Sequence, residues 1–141
     1  MENLKFTMDK LEQLLIDHEG YEKKPYTDTV GKITIGVGWN LSDKGLPEEI
    51  IQQLLFRGIM EAIEDCDVLF PNFEKFSENR QLALVDMAFN LGRSKFSRFV
   101  NMRKAIANGD WIEASAQALD SRWAKQVGRR ANTIANMLKE G

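Results

Sequence analysis

Apolar residues at three- and four-residue steps predict an amphipathic helix over residues 7–19. The residues that set this spacing are Leu11, Leu14 and Leu15. Thr7 or Asp9 can cap the start of the helix, and Gly20 stands where a residue with a left-handed backbone ends one. Glu19 is therefore predicted at the last turn, where exposed carbonyl groups disfavour a carboxylate. We expect this position to favour the protonated acid.

After Gly20 the spacing changes to strict alternation. Ile33 and Ile35 lie on one face, and Lys32 and Thr34 on the other, which is typical of short strands. Residues that favour turns or close backbone approach punctuate the segment: Pro25, Asp28, Gly31, Gly36 and Gly38. The pattern predicts a small antiparallel sheet of two or three strands.

Helical spacing returns at Pro47 and continues to about residue 67, which predicts a helix of roughly 30 Å that ends before Pro71. From Ser77 onward the pattern is helical almost throughout. The predicted helices cover 77–90, 96–108, 111–119 and 121 to the C-terminus. Gly92, Gly109 and the capping Asp110 separate them.

These elements predict an α+β fold in a single domain over residues 1–141. A small antiparallel-sheet lobe occupies about 18–46, a long connecting helix 47–70, and an all-helical lobe 71–141. The helix at 7–19 is expected to pack at the lobe junction. A groove between two lobes is a usual place for a ligand.

Composition narrows the class of function. The net charge of −2 argues against nucleic acid as the main partner, although basic residues concentrate in the C-terminal third and suit an anionic polymer. We expect no membrane span, since no apolar run approaches about 20 residues, and no secretory signal. The single cysteine, Cys66, allows no intrachain disulfide and fits folding in a reducing compartment.

Several catalytic motifs are excluded. His18-Glu19 begins a zinc-protease motif, but residue 22 is Glu rather than His. Gly36-Val37-Gly38 lacks the third glycine and the helix of a dinucleotide loop. Cys66 has no neighbouring histidine to activate it and is better explained as a helix residue. The sequence gives no reason to expect a metal or another cofactor.

Three candidate groups remain: a carboxyl group at the end of the first helix, a second carboxyl group on a turn of the adjoining sheet, and a hydroxyl group on a strand. Glycosidic bond hydrolysis requires one acid to protonate the leaving oxygen and a second carboxylate to stabilise the sugar cation or activate water. Glu19 suits the first role, and Asp28, on a polar turn, suits the second. With 21 acidic residues in the chain, such a pair alone is weak evidence.

The spacing of the whole segment is more specific. It reads E-G-x5-Y-x-D-x2-G-x2-T-I-G-x-G from Glu19 to Gly38. This pattern resembles the signature of phage-type lysozymes, the endolysin muramidases of glycoside hydrolase family 24. The runs AFNLG at 88–92 and SRW at 121–123, with RRA at 129–131, extend the resemblance to nearly the whole chain.

The resemblance implies a lysozyme-like fold and a peptidoglycan hydrolase that cleaves the β-1,4 bond between N-acetylmuramic acid and N-acetylglucosamine. It implies Glu19 as general acid, Asp28 as base in an inverting reaction, and Thr34 as the residue that holds the attacking water. Arg130 matches an arginine that pairs with the catalytic glutamate, which would oppose the effect of the helix end. Other positions match residues that face the glycan: Met87, Phe89, Asn90, Gln117 and Arg122.

The resemblance further implies a monomer made in the bacterial cytoplasm that reaches the periplasmic cell wall after release by a holin. One departure is Trp39, where the family commonly has a histidine paired with an acid on the long helix. We expect an apolar contact with Ile59 to replace that pair, so that Trp39→Ala would cost a few kcal/mol of stability. A second departure is the slightly acidic chain, which would weaken attraction to an anionic wall.

Two other readings stay open from the sequence. One is a glycan-binding scaffold that kept the fold and lost activity, although binding alone does not require Glu19, Asp28 and Thr34 together. The other is a small α+β protein whose hairpin merely caps a helical core, which would explain the glycines but not their spacing.

Overall fold

A computed structural model describes residues 3–141, so the first two residues of the predicted domain lie outside the described part. The chain forms two compact units, of which the first ends at Ile51 and the second is Gln52–Gly141.

Within residues 3–51 the first unit contains two complete helices, one antiparallel sheet and the first turn of a long helix that begins at Glu48. In chain order the elements are α1 Met8–Glu19, β1 Glu22–Thr27, β2 Ile33–Gly36, β3 Trp39–Asn40 and α2 Leu41–Lys44. The sheet order is β1-β2-β3, with Tyr26 opposite Thr34 and Ile35 opposite Trp39. The predicted small sheet is confirmed with three strands, whereas α2 was not predicted.

Of the two residues predicted as possible caps of α1, Thr7 is the cap in the structure, and Gly20 ends the helix as predicted. The Thr7 hydroxyl accepts a hydrogen bond from the Lys10 N–H at 3.3 Å. At the other end the Gly20 N–H donates to the Ile16 carbonyl at 2.8 Å, with a φ of +84° that glycine tolerates. Glu19 is consequently the last helical residue.

The long helix α3 is Glu48–Leu69. It begins directly after Pro47, and its acidic first turn, Glu48 and Glu49, suits a helix N-terminus. Cys66 is completely buried on this helix, and burial raises the pKa of its thiol to about 12. The prediction that Cys66 is a helix residue is therefore confirmed.

The second unit is helical. After a short 3-10 helix at Phe73–Lys75 come α4 Glu78–Leu91, α5 Arg93–Ser97, α6 Val100–Ala107, α7 Trp111–Leu119, α8 Arg122–Val127 and α9 Arg129–Glu140. Its core is formed by large side chains that are almost fully enclosed: Phe70, Leu84, Met87, Phe96, Met102, Ile134 and Leu138. The caps of α4 at Ser77 and of α7 at Asp110 are confirmed.

Two of the predicted helices are each divided in the structure. The predicted helix 96–108 is replaced by α5 and α6, because Phe99 has a non-helical ψ of +61°. The predicted helix from residue 121 to the C-terminus is replaced by α8 and α9, because Gly128 has a φ of +58°. In both places the apolar spacing continues across a local break in the backbone.

The apolar residues of α4 lie partly in the core and partly at the surface. It packs against α9 and buries Leu84 and Met87. Leu82 and Phe89, however, are about half exposed. No helix within residues 3–141 is both long enough and apolar enough to cross a membrane.

Candidate active site

The Glu19 side chain leaves the end of α1 and is exposed. Its carboxyl group lies against Gly38 in the turn that joins β2 to β3. The turn is the short loop between the paired residues Ile35 and Trp39. The predicted acid is thus placed by the C-terminal end of α1 and by a tight turn of the sheet.

Asp28 follows β1 and organises the turn between β1 and β2. Its Oδ1 accepts hydrogen bonds from the N–H groups of Val30 at 3.0 Å and Lys32 at 2.8 Å. Its own N–H donates to the Lys32 carbonyl at 2.8 Å, and its carbonyl accepts from the Gly31 N–H at 3.1 Å. The carboxylate is therefore held in one orientation by backbone donors.

Among residues 3–51 of the first unit, Thr34 is the one residue that is buried, with 4% of its surface exposed. Its hydroxyl donates to the Lys32 carbonyl at 3.1 Å. Because the Asp28 N–H donates to the same oxygen, one carbonyl group links the two predicted catalytic residues. Asp28 and Thr34 are thus connected at the turn before β2, and Glu19 lies against the turn after it.

Lys32 is a charged neighbour that the sequence did not single out. Its ammonium group lies 2.9 Å from Asp43 of α2. The hydrogen bond to Asp43 raises the pKa of Lys32, and the charge of Asp28 adds to this effect. The same hydrogen bond lowers the pKa of Asp43. A positive charge is therefore maintained beside the Asp28 turn.

Trp39 has polar contacts that its apolar character did not predict. Its indole N–H donates to the Gly45 carbonyl at 2.7 Å, and the Lys44 ammonium lies 4.8 Å from the ring centroid. The side chain is 36% exposed. Both contacts connect β3 to the C-terminal end of α2.

We expect Trp39→Ala to lower the free energy of unfolding by a few kcal/mol, because it removes packing and a hydrogen bond. Trp39→Phe keeps most of the packing and should lose only about 1 kcal/mol. Denaturant titration measures both. A loss for Trp39→Ala within experimental error would contradict the prediction, and a double-mutant cycle with Ile59→Ala measures the predicted Trp39–Ile59 contact.

In the second unit, two of the predicted substrate residues share a pocket. It has a volume of about 520 Å³, and Gln117 and Arg122 both line it. Four further side chains of its lining are basic or aromatic: Lys95, Arg98, Phe99 and Trp123. Asn90 is connected to this pocket, since its Oδ1 accepts a hydrogen bond from the Trp123 indole N–H at 2.8 Å.

The other predicted residues of the second unit have different surroundings. Met87 is completely buried, so its side chain presents no surface to a glycan. Phe89 is 47% exposed and packs closely against Gly58 of α3. Arg130 donates from Nε to Asp86 Oδ1 at 2.8 Å and from Nη2 to the Asp86 carbonyl at 3.3 Å. Its pairing with Glu19 stays a prediction.

Comparison with known proteins agrees with the resemblance seen in the sequence. The profile of the family described as phage lysozyme matches residues 16–138. The chain belongs to the phage lysozyme family. This membership makes it a lysozyme-type glycosidase of the group that degrades bacterial cell walls, and it confirms the predicted α+β lysozyme-like fold.

Individual relatives are distant in sequence. The chain is 25% identical to "Probable T4-type lysozyme 2" of Dictyostelium discoideum, over 95% of this chain and 96% of that protein. It is 23% identical to "Probable T4-type lysozyme 1" of the same organism, with the same coverage. It is also 26% identical to "Pre-baseplate central spike protein Gp5" of Enterobacteria phage T4, over 92% of this chain but only 27% of that protein. The match thus covers nearly all of the two Dictyostelium proteins and about a quarter of the phage T4 protein.

Proposed function

We propose that this member of the phage lysozyme family is a muramidase that hydrolyses the β-1,4 bond between N-acetylmuramic acid and N-acetylglucosamine. Glu19 is the general acid, Asp28 the base, and the reaction inverts the anomeric centre. The observation that carries the proposal is that Glu19 lies against the turn after β2, Asp28 organises the turn before β2, and Thr34 lies on β2 itself.

The hydrogen bonds of the first unit suggest how water is held. The Thr34 hydroxyl donates its hydrogen bond to the Lys32 carbonyl. Its oxygen can therefore only accept a hydrogen bond from a water molecule. Within residues 3–141 both hydrogen bonds to the Asp28 carboxylate are made to Oδ1, which leaves Oδ2 to accept the second proton of that water. A water that donates to both groups directs a lone pair toward the anomeric carbon.

Proton transfer completes the proposed reaction. Glu19 protonates the glycosidic oxygen as the bond to the anomeric carbon breaks, and Asp28 removes a proton from the attacking water. The products are two free glycan ends, and each carboxyl group finishes in the protonation state opposite to its starting one. Exchange with solvent restores both groups.

The second unit supplies contacts for an anionic glycan. Arg122 and the neighbouring Lys95 and Arg98 place positive charge around the 520 Å³ pocket, which suits the carboxylates of peptidoglycan. Because the Asn90 Oδ1 accepts from Trp123, its amide N–H groups are the part that can donate to sugar oxygens. We propose Phe89, Asn90, Gln117 and Arg122 as substrate contacts and omit the buried Met87.

We further propose that the protein acts as a monomer on the periplasmic cell wall and reaches it after holin-mediated release. The substrate partner is the glycan strand of peptidoglycan.

Purified protein added to permeabilised Gram-negative cells should clear the suspension and release soluble sugar from insoluble peptidoglycan. A glycan-binding scaffold would instead sediment with the peptidoglycan and release nothing. A small protein with neither property would stay in the supernatant and leave the polymer intact. Either of the last two outcomes contradicts the proposed function.

A further inference from the structure

Gly38 is in direct contact with the predicted general acid. A methyl group added at Gly38 would lie 2.5 Å from Glu19 Oε2, 2.9 Å from Cδ and 3.1 Å from Cγ. Non-bonded carbon atoms prefer about 3.5–4.0 Å. The carboxyl group of Glu19 therefore occupies space that any other residue at position 38 would fill with its Cβ.

Gly36 provides an internal comparison at the other side of the same turn. Its φ is +70° and that of Gly38 is +68°, so a side chain would strain both backbones similarly. An added methyl group at Gly36, however, meets nothing within 4 Å. The contact of an added methyl group with Glu19 therefore distinguishes Gly38 from Gly36.

We propose that Gly38 is a positioning residue for the general acid. Its missing side chain lets the Glu19 carboxyl lie against the β2–β3 turn, at a fixed position relative to Thr34 on β2. This proposal rests on the proposed function, since it assigns Gly38 a role only if Glu19 is the acid. It does not give Gly38 any chemical step of its own.

The exposure of Glu19 determines what a substitution does. Because its side chain is exposed, the carboxyl group can rotate away from a methyl group at residue 38 without disrupting a core. Gly38→Ala should therefore displace the acid rather than unfold the protein. A displacement of about 1 Å in a catalytic group lowers rates on the order of 100-fold.

The test compares Gly38→Ala with Gly36→Ala. Both variants should show the same shift of the denaturation midpoint. The kcat of Gly38→Ala on soluble peptidoglycan fragments should be at least about tenfold below that of Gly36→Ala, with similar KM, and the acidic or basic limb of its pH profile should move. Equal kcat values and equal pH profiles in the two variants would overturn the proposal.

Two further variants separate this inference from the proposed function. In a Glu19→Gln background, exchanging Gly38 for Ala should change the residual activity no more than exchanging Gly36 for Ala. If Glu19→Gln itself is fully active, the proposed function fails. If Glu19→Gln is inactive while Gly38→Ala matches Gly36→Ala, only the positioning role fails.

Folding failure of Gly38→Ala would also be informative. The Glu19→Ala and Gly38→Ala substitutions combined remove the crowded side chain, so the double variant should fold as well as Gly36→Ala. A double variant that still fails to fold would show that the contact with Glu19 is not what makes glycine necessary, and would overturn the proposal.

Discussion

Glu19→Gln is expected to lower kcat by about 10²–10⁴-fold, because glutamine has nearly the same shape but cannot donate the proton that the leaving oxygen requires. The free energy of unfolding should change little, since the side chain is exposed and lies against the Gly38 turn without entering a core. The measurement is the initial rate of sugar release at saturating substrate, together with a denaturant titration.

Glu12→Gln is the matched control for this variant. Glu12 is exposed on the same helix α1, and its substitution removes the same charge without touching the β2–β3 turn. It should retain the kcat of the unsubstituted protein. A Glu19→Gln variant whose kcat stays within a few-fold of that of Glu12→Gln would contradict the role of Glu19.

Asp28→Asn is expected to have a similar effect on kcat, a loss of about 10²–10⁴-fold, because the amide cannot accept a proton from water at neutral pH. Asparagine keeps a carbonyl oxygen that can replace Oδ1 as acceptor for the Val30 and Lys32 N–H groups. The turn should therefore persist, with a loss of stability of about 1 kcal/mol or less. Kinetics and denaturant titration together separate the chemical role from the structural one.

Two comparisons sharpen this test. Asp28→Ala removes both hydrogen bonds as well as the charge, so it should lose about 1–3 kcal/mol of stability in addition to activity. Asp43→Asn removes a carboxylate from an exposed ion pair with Lys32 and should cost only about 0–1 kcal/mol, with little change in kcat. Full activity of Asp28→Asn would show that Asp28 serves only to shape its turn.

Local signals in the sequence predicted the elements whose ends are fixed by a single side chain or glycine. The helices that begin after Thr7, Ser77 and Asp110 are where the sequence predicts them, since a cap acts within one turn. The break at Gly128 was missed because apolar spacing continues across it. Periodicity reports which face of a helix is apolar, not whether the backbone stays helical.

The candidate site, too, could be predicted only in part from the sequence. Motif spacing predicts Glu19, Asp28 and Thr34 as catalytic residues, and the structure connects the last two of them through the Lys32 carbonyl. The contact between Glu19 and Gly38 depends on how the end of α1 meets a turn far along the chain. No local rule in the sequence gives that distance.

The burial of Met87 could not be predicted from the family resemblance. Met87 matches a position expected to face the glycan, yet it is completely enclosed in the core of the second unit. A motif match specifies a place in the chain, whereas exposure depends on the side chains that pack around it. Asn90, three residues later on the same helix, is exposed and contacts Trp123.

The central claim is that this chain cleaves the glycan after N-acetylmuramic acid with Glu19 as the acid. The most direct measurement is digestion of purified peptidoglycan, followed by borohydride reduction and mass spectrometry of the new chain ends. The account predicts N-acetylmuramitol ends from the unsubstituted protein and none above background from Glu19→Gln. N-acetylglucosaminitol ends, or equal muramitol release by both proteins, would contradict it.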